Sequence, residues 1–273
     1  MIDFQSLSFQ YGRKQSLFND FTLSLQPGCI VGMLGKNGAG KTTLLHLMGG
    51  LLEPRGGALR VNGYRPFHRN PDFLADVYLV PEEFSFPHTS IQTYIQAFSP
   101  FYPSFDAQKM DIILQEFQLN TAMQLNKISH GQRKKFLIAF ALATNCKLLM
   151  FDEPTNGLDI PSKSQFRKIL VSSVADDQVV IISTHQVKDI DTIIDRVMVI
   201  DEGKLIYHQT TADIASDLFF EWSETAGEEG VLYSEQGIGG YRIIRKADGK
   251  HESPIDLEIL FNAVTNHFIT NKV

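Results

Sequence analysis

Cys29-Ile30-Val31-Gly32-Met33-Leu34-Gly35-Lys36-Asn37-Gly38-Ala39-Gly40-Lys41-Thr42-Thr43-Leu44-Leu45-His46-Leu47-Met48 is the stretch that decides the fold. A short apolar run of strand length enters a glycine-rich turn, and a helix-like segment leaves it. Gly35 to Thr42 match the pattern GxxxxGK[ST], with strand before and helix after, as its mechanism requires. The glycines let backbone N–H groups turn inward around phosphates, and the helix start adds partial positive charge. Lys41 is expected to reach β- and γ-phosphates and the Thr42 hydroxyl to ligate Mg²⁺.

Three more apolar runs, Lys147 to Phe151, Val179 to Ser183 and Arg196 to Ile200, read as buried parallel strands beside Cys29 to Leu34. Segments of helical length separate them, which gives a βαβ alternation. The run Leu148-Leu149-Met150-Phe151 ends in Asp152 and Glu153. Ligands in open α/β sheets bind beyond the carboxyl ends of the strands, so both acids are expected beside the phosphate loop. Asp152 suits an Mg²⁺ partner acting through water; Glu153 suits orientation and polarisation of an attacking water. His185 follows Val179 to Thr184 and is expected at the same sheet edge, where it reads as a sensor of the γ-phosphate.

Outward from this core the patterning changes. Residues 2–28 alternate, in Asp3 to Phe9 and again in Phe21 to Leu25, as half-buried antiparallel strands do. Gly56-Gly57 and Asn62-Gly63 extend that region to about residue 65. From about Asp72 to Leu142 the chain reads as a helical insertion between two core strands, rich in aromatics from Phe84 to Phe105. After about Thr210, Gly230 to Ser234 and Tyr241 to Arg245 suggest a hairpin, and Pro254 to His267 a closing helix.

The chain has 273 residues, enough for one large α/β domain and a small appendage. With 43% hydrophobic and 21% charged residues it has an ordinary globular composition. A net charge of -6 exerts no global pull toward nucleic acid, and no direct nucleic-acid partner is expected. Cys29 and Cys146 lack metal or disulfide spacing and read as buried thiols. No apolar stretch has the length of a membrane span, and Met1-Ile2-Asp3-Phe4 does not read as a signal peptide, so the expected compartment is the cytosol.

A second cluster makes the resemblance specific. Ile128-Ser129-His130-Gly131-Gln132 precedes Asp152-Glu153-Pro154-Thr155 by 20 residues, and together with the phosphate loop these resemble the ATPase subunit of an ATP-binding cassette (ABC) transporter over about residues 1–210. The resemblance implies an α/β fold: a P-loop NTPase core of RecA-like type, an N-terminal antiparallel β subdomain and an inserted helical subdomain. A small α+β C-terminal extension would occupy 211–273. It implies ATP binding by Gly35, Lys36, Asn37, Gly38, Ala39, Gly40, Lys41, Thr42 and Thr43, with Tyr11 stacked on adenine. Glu153, His185 and Lys41 would be catalytic, His185 as the switch histidine. Thr42, Asp152 and Glu82 would hold Mg²⁺, Glu82 standing at the Q-loop position. Ser129, His130, Gly131 and Gln132 correspond to the LSGGQ signature and would serve the nucleotide bound by an opposite subunit, while Pro154-Thr155-Asn156-Gly157-Leu158-Asp159 resembles the linker ending in the D-loop, with Asp159 as the D-loop residue.

Two residues depart from the pattern. Glu82 replaces a glutamine, keeping an acceptor oxygen and adding charge. His130 replaces the first glycine of the signature pair, keeping the backbone N–H and adding a bulky side chain that either tunes the closed dimer or faces solvent.

The function implied is an energy-coupling ATPase: ATP closes two cassettes, hydrolysis reopens them, and a separate membrane permease converts the cycle into transport. A second cassette, most simply another copy of this chain, and an integral membrane permease are then the partners, with the chain peripheral on the inner face of the cell membrane. The two departures resemble exporter-type cassettes. The aromatic region from Phe84 to Phe105 is either a groove for a permease helix or the core of the helical subdomain. The alternative is a soluble ABC-type ATPase acting on nucleic acid or ribosomes; a third class is a nucleotide-gated module without hydrolysis, against which Lys41, Asp152, Glu153 and His185 argue together.

Overall fold

Alternating apolar residues in the first 25 positions give two antiparallel strands, β1 (Ile2–Phe9) and β2 (Phe18–Leu25). The computed structural model describes residues 1–12, 15–226 and 230–270. In β1 the buried residues are Ile2, Phe4, Leu7 and Phe9, so the alternation slips once. Ser6 accounts for it: its φ of 46° and the register shift between Phe4 and Leu7 mark a bulge that brings Leu7 back to the buried face. The chain then runs through β3 (Cys29–Leu34) and α1 (Lys41–Met48) before β4 (Gly56–Val61) returns to complete a small sheet of order β2-β1-β4.

The next elements are α2 (Pro71–Ala75), β5 (Val77–Val80), α3 (Ile91–Phe98), α4 (Ala107–Glu116), α5 (His130–Ala143) and β6 (Leu148–Asp152). The stretch read as helical from 72 to 142 therefore includes a core strand, because Val77 pairs with Leu148 and Val80 with Phe151 in parallel register. Four residues are too few for a period to separate strand from helix, and only the pairing with β6 decides it. The helices α3 to α5 do lie between two core strands. After α6 (Ile160–Ser173) come β7 (Val179–Thr184), β8 (Arg196–Asp201) and β9 (Lys204–Thr210), and the main sheet has the order β5-β6-β7-β3-β8-β9. All pairs are parallel except β8 with β9.

Both faces of this sheet are covered, which explains the unbroken apolar runs. On β6, Leu149 and Phe151 pack with the helical side, whereas Leu148 and Met150 pack with α1 and the small antiparallel sheet. Cys29 and Cys146 are buried free thiols, as expected; burial pushes them up to about 11 and about 12. The aromatic region divides: Phe84, Phe86, Tyr94, Tyr102 and Phe105 pack against the core, while Phe98 and Phe101 stay 40% and 67% exposed.

Residues beyond 210 form α7 (Thr211–Asp217), β10 (Leu218–Ser223), β11 (Val231–Gly237), β12 (Gly240–Lys246) and α8 (Leu257–Thr265). The hairpin and closing helix are those the sequence suggests; β10 is an addition, pairing with β12 to give a sheet of order β10-β12-β11. Among the described residues no helix is long and apolar enough to cross a membrane.

Candidate functional site

The carboxyl ends of β3, β6 and β7 meet at one edge of the sheet because these strands are neighbours in parallel register. The loop from Gly35 to Gly40 turns there and α1 departs from it. Gly40 has a φ of 109°, and a Cβ on it would lie 2.8 Å from the Phe18 ring. A Cβ on Gly35 would lie 2.5 Å from the Ile200 carbonyl oxygen. Glycine at these two positions is thus set by sterics between the loop and its neighbours. Lys36 and Asn37 lie at the exposed tip of the loop, and Ala39 is buried beneath it, its N–H donating to the Lys36 carbonyl at 3.2 Å. Lys41 is buried and its ammonium donates to the Gly35 carbonyl at 2.7 Å and the Lys36 carbonyl at 3.3 Å. Burial pushes Lys41 below the ordinary lysine range, and the Glu153, Asp152 and Glu82 carboxylates pull it back up.

A cavity of about 1040 Å³ opens over this loop, lined among others by Tyr11, Lys41, Thr42, Glu82, Asp152 and Glu153. The Thr42 hydroxyl donates to Asp152 Oδ2 at 2.7 Å, and the Ser183 hydroxyl donates to Asp152 Oδ1. The oxygens of Thr42, Asp152 and Glu82 are hard donors facing one space, the chemistry that Mg²⁺ takes. No cluster of three or more His, Cys, Asp or Glu residues able to hold a metal occurs among the described residues. Such a set fits Mg²⁺, which usually binds through one or two carboxylates plus phosphate oxygens and water rather than in an all-protein cage.

Glu153 is held from every side. Its carboxylate accepts from the Thr184 hydroxyl at 3.0 Å, from the His185 backbone N–H at 3.1 Å and from His185 Nδ1 at 2.7 Å. Its own N–H donates to the Ser183 carbonyl at 3.1 Å, and its carbonyl accepts from the buried Lys134 ammonium at 2.8 Å. These contacts hold Glu153 at a φ of 45°, a left-handed conformation that non-glycine residues adopt only when the surroundings impose it. A carboxylate only accepts, so His185 Nδ1 carries the hydrogen. Lys41 Nζ lies 3.8 Å from Glu153 Oε1.

Tyr11 is 45% exposed at the cavity wall, its ring edge-on to Phe9 at 4.9 Å and its hydroxyl 2.9 Å from that of buried Thr43. The signature stretch does not line the cavity. Ser129 caps α5 by accepting from the Gln132 N–H at 3.1 Å, while Gln132 Oε1 accepts from the Ser129 N–H at 3.0 Å, a reciprocal capping box. Asp159 caps α6 by accepting from the Ser162 N–H at 2.9 Å, and the Ser162 hydroxyl, followed by that N–H, lowers its carboxyl below the usual range. His130 stacks on Phe84 with ring centroids 5.2 Å apart.

Four participants escaped the sequence reading. Ser183 and Thr184 sat at a strand end beside a singled-out histidine, so their position held the signal. Asn156 stood only as part of the stretch from Pro154 to Asp159, and Lys134 gave no signal: a buried lysine bonded to the Glu153 and Asn156 carbonyls is visible only once the start of α5 meets the segment after β6.

A phosphate loop, two strand-end acids and a bonded histidine also describe other nucleotide machines; the whole-domain comparison separates them. A family model described as ABC transporter matches residues 18–156. This chain belongs to that family. It is similar to the ABC transporter ATP-binding protein NatA of Bacillus subtilis (strain 168), with 29% identity over 69% of this chain and 79% of the relative. The Nod factor export ATP-binding protein I of Cupriavidus pinatubonensis (strain JMP 134 / LMG 1197) is 29% identical over 84% of this chain and 72% of its own. A solved ATP-binding subunit of an ABC transporter superposes with a TM-score of 0.71 at 26% identity, covering 78% of this chain and 91% of that one. The ABC-type domain of this chain accordingly has the mixed α/β fold with an antiparallel β subdomain that the resemblance implied, and it is of the ABC ATPase type.

Proposed function

We propose that this ABC-type ATPase hydrolyses Mg-ATP to drive transport through a separate integral membrane permease, with residues 1–210 as the nucleotide-binding domain and 211–273 as an appendage. One observation carries the reading: Glu153 is held by Thr184 and His185 in the cavity that also receives Lys41 and the Thr42–Asp152 pair. In this reading the loop from Gly35 to Thr43 binds the triphosphate and Tyr11 packs against the base. Thr42, Asp152 and Glu82 hold Mg²⁺, which neutralises charge on the phosphates when bound. Glu153 orients the attacking water and accepts its proton. His185, fixed through Nδ1, would reach the γ-phosphate with Nε2 as a donor in the form that carries a hydrogen on both ring nitrogens.

Ser129 to Gln132 and Asp159 are proposed to act across an interface with a second copy of this chain, which makes ATP-dependent closure of a dimer part of the cycle. A relative named for Nod factor export favours export, and together with one named for bacitracin transport it favours transport over action on nucleic acid or ribosomes. A permease would place the chain on the inner face of the cell membrane, and exposed Phe98 and Phe101 offer it apolar contact. The test is phosphate release with and without chelator, followed by affinity capture from native membranes. Chelator-sensitive release and recovery of an integral membrane protein are expected; recovery with ribosomes favours the alternative.

A further inference from the structure

The two departures from the family pattern, Glu82 and His130, lie 48 positions apart yet reach the same pair of residues, Asn156-Gly157. Asn156 Nδ2 donates to Glu82 Oε1 at 3.0 Å. A Cβ on Gly157 would lie 3.4 Å from His130 Cδ2, so the imidazole lies over the space that a side chain at 157 would fill. The imidazole also stacks on Phe84, nearly parallel at 20°. Phe84 meets Phe86 edge-on at 5.6 Å, and Phe86 packs on Phe136 of α5 at 5.6 Å.

Asn156 gathers the remaining site segments. Its Oδ1 accepts from Gln186, the neighbour of His185, at 3.0 Å, and its carbonyl accepts from Lys134 at 3.3 Å. We propose that Glu82, Asn156-Gly157, His130 and Phe84 form one clasp, and that His130 is a positioning residue that ties the signature stretch to the cavity wall. The inference rests on the proposed ATPase reading for its purpose, and on the contacts alone for its existence.

The physical logic is competition. Glu82 lines the nucleotide cavity, so a Mg²⁺ ion entering with the nucleotide would compete with the Asn156 amide for its carboxylate. Release of Asn156 frees Gly157, beside which His130 lies, and the stacked ring carries that change to the capped start of α5. A glycine at 130 has no ring to carry it.

The test uses the full chain with His130→Gly, His130→Phe and Asn156→Ala. His130→Gly should lower kcat about tenfold, ~1.4 kcal/mol in barrier height. KM for ATP should stay within about twofold, because the same chain's own loop binds the nucleotide. His130→Phe, which keeps an aromatic ring against Phe84, should recover most of kcat. Without nucleotide, amides 129–133 should exchange about tenfold faster in His130→Gly and Asn156→Ala than in wild type, and normally in His130→Phe. Equal impairment of His130→Phe and His130→Gly overturns the proposal, as do wild-type exchange in His130→Gly and a kcat loss that follows melting temperature across the set. A wild type that hydrolyses no ATP defeats the functional reading instead, and the exchange arm still decides whether the clasp exists.

Discussion

Glu153 Oε1 accepts from both the backbone N–H and the imidazole Nδ1 of His185, at 3.1 and 2.7 Å. Two donors from one residue fix the carboxylate plane, and the Thr184 hydroxyl on Oε2 completes the hold. A group placed this firmly is arranged to act on something brought to it.

Glu153→Gln keeps the shape and removes the proton acceptor. Turnover should fall by about 10²–10⁴-fold, with ATP affinity little changed and a dimer accumulating in ATP. Phosphate release and size-exclusion chromatography measure this, and equal turnover in wild type and variant would sink the assigned role.

Lys41→Ala removes the ammonium that now rests on the Gly35 and Lys36 carbonyls. Hydrogen bonds to charged groups contribute ~1.5–3 kcal/mol, so ATP binding should weaken by about 10- to 100-fold. Calorimetric titration gives the answer, and an unchanged dissociation constant contradicts the loop assignment.

Lys134 is 1% exposed, and its ammonium bonds two backbone carbonyls. Lys134→Met preserves length and leaves those buried acceptors without this donor, at a cost of ~1–3 kcal/mol in stability. Turnover should drop as well, because Glu153 loses one restraint on its left-handed backbone. Urea unfolding and steady-state kinetics test both halves, and a variant as stable and active as wild type removes Lys134 from the account.

His208 makes stability depend on pH. Burial, with the Arg196 guanidinium beside it, pushes its imidazole from 6.5 down to about 4. Between those values the unfolded chain binds a proton that the folded chain does not, so this contribution is full above 6.5 and is lost as pH falls toward 4. The melting temperature should decline across that window, and less steeply in His208→Gln. Parallel profiles for the two proteins would refute the assignment.

The phosphate loop was legible because its chemistry is local: strand, glycines, lysine and hydroxyl follow one another in 20 residues. Asp152, Glu153 and His185 were legible because parallel strands deliver their ends to one edge. Strand β5 was not, since four residues hold too little periodicity, and β10 was recognisable only through its pairing with β12.

Sequence alone thus determined the type of chain and that Lys41, Thr42, Asp152 and Glu153 come to one cavity, because the order of strands and turns constrains both. Only the tertiary structure decided who touches whom. The buried Lys134 beneath Glu153, and the meeting of Glu82 and His130 on Asn156-Gly157, arise from packing α5 against β6 and the segment after β5. Contacts between segments dozens of residues apart leave no periodicity in any one of them. The departure at His130 was therefore open along the chain between tuning a closed dimer and facing solvent, and in space it is a ring stacked on Phe84 beside Gly157.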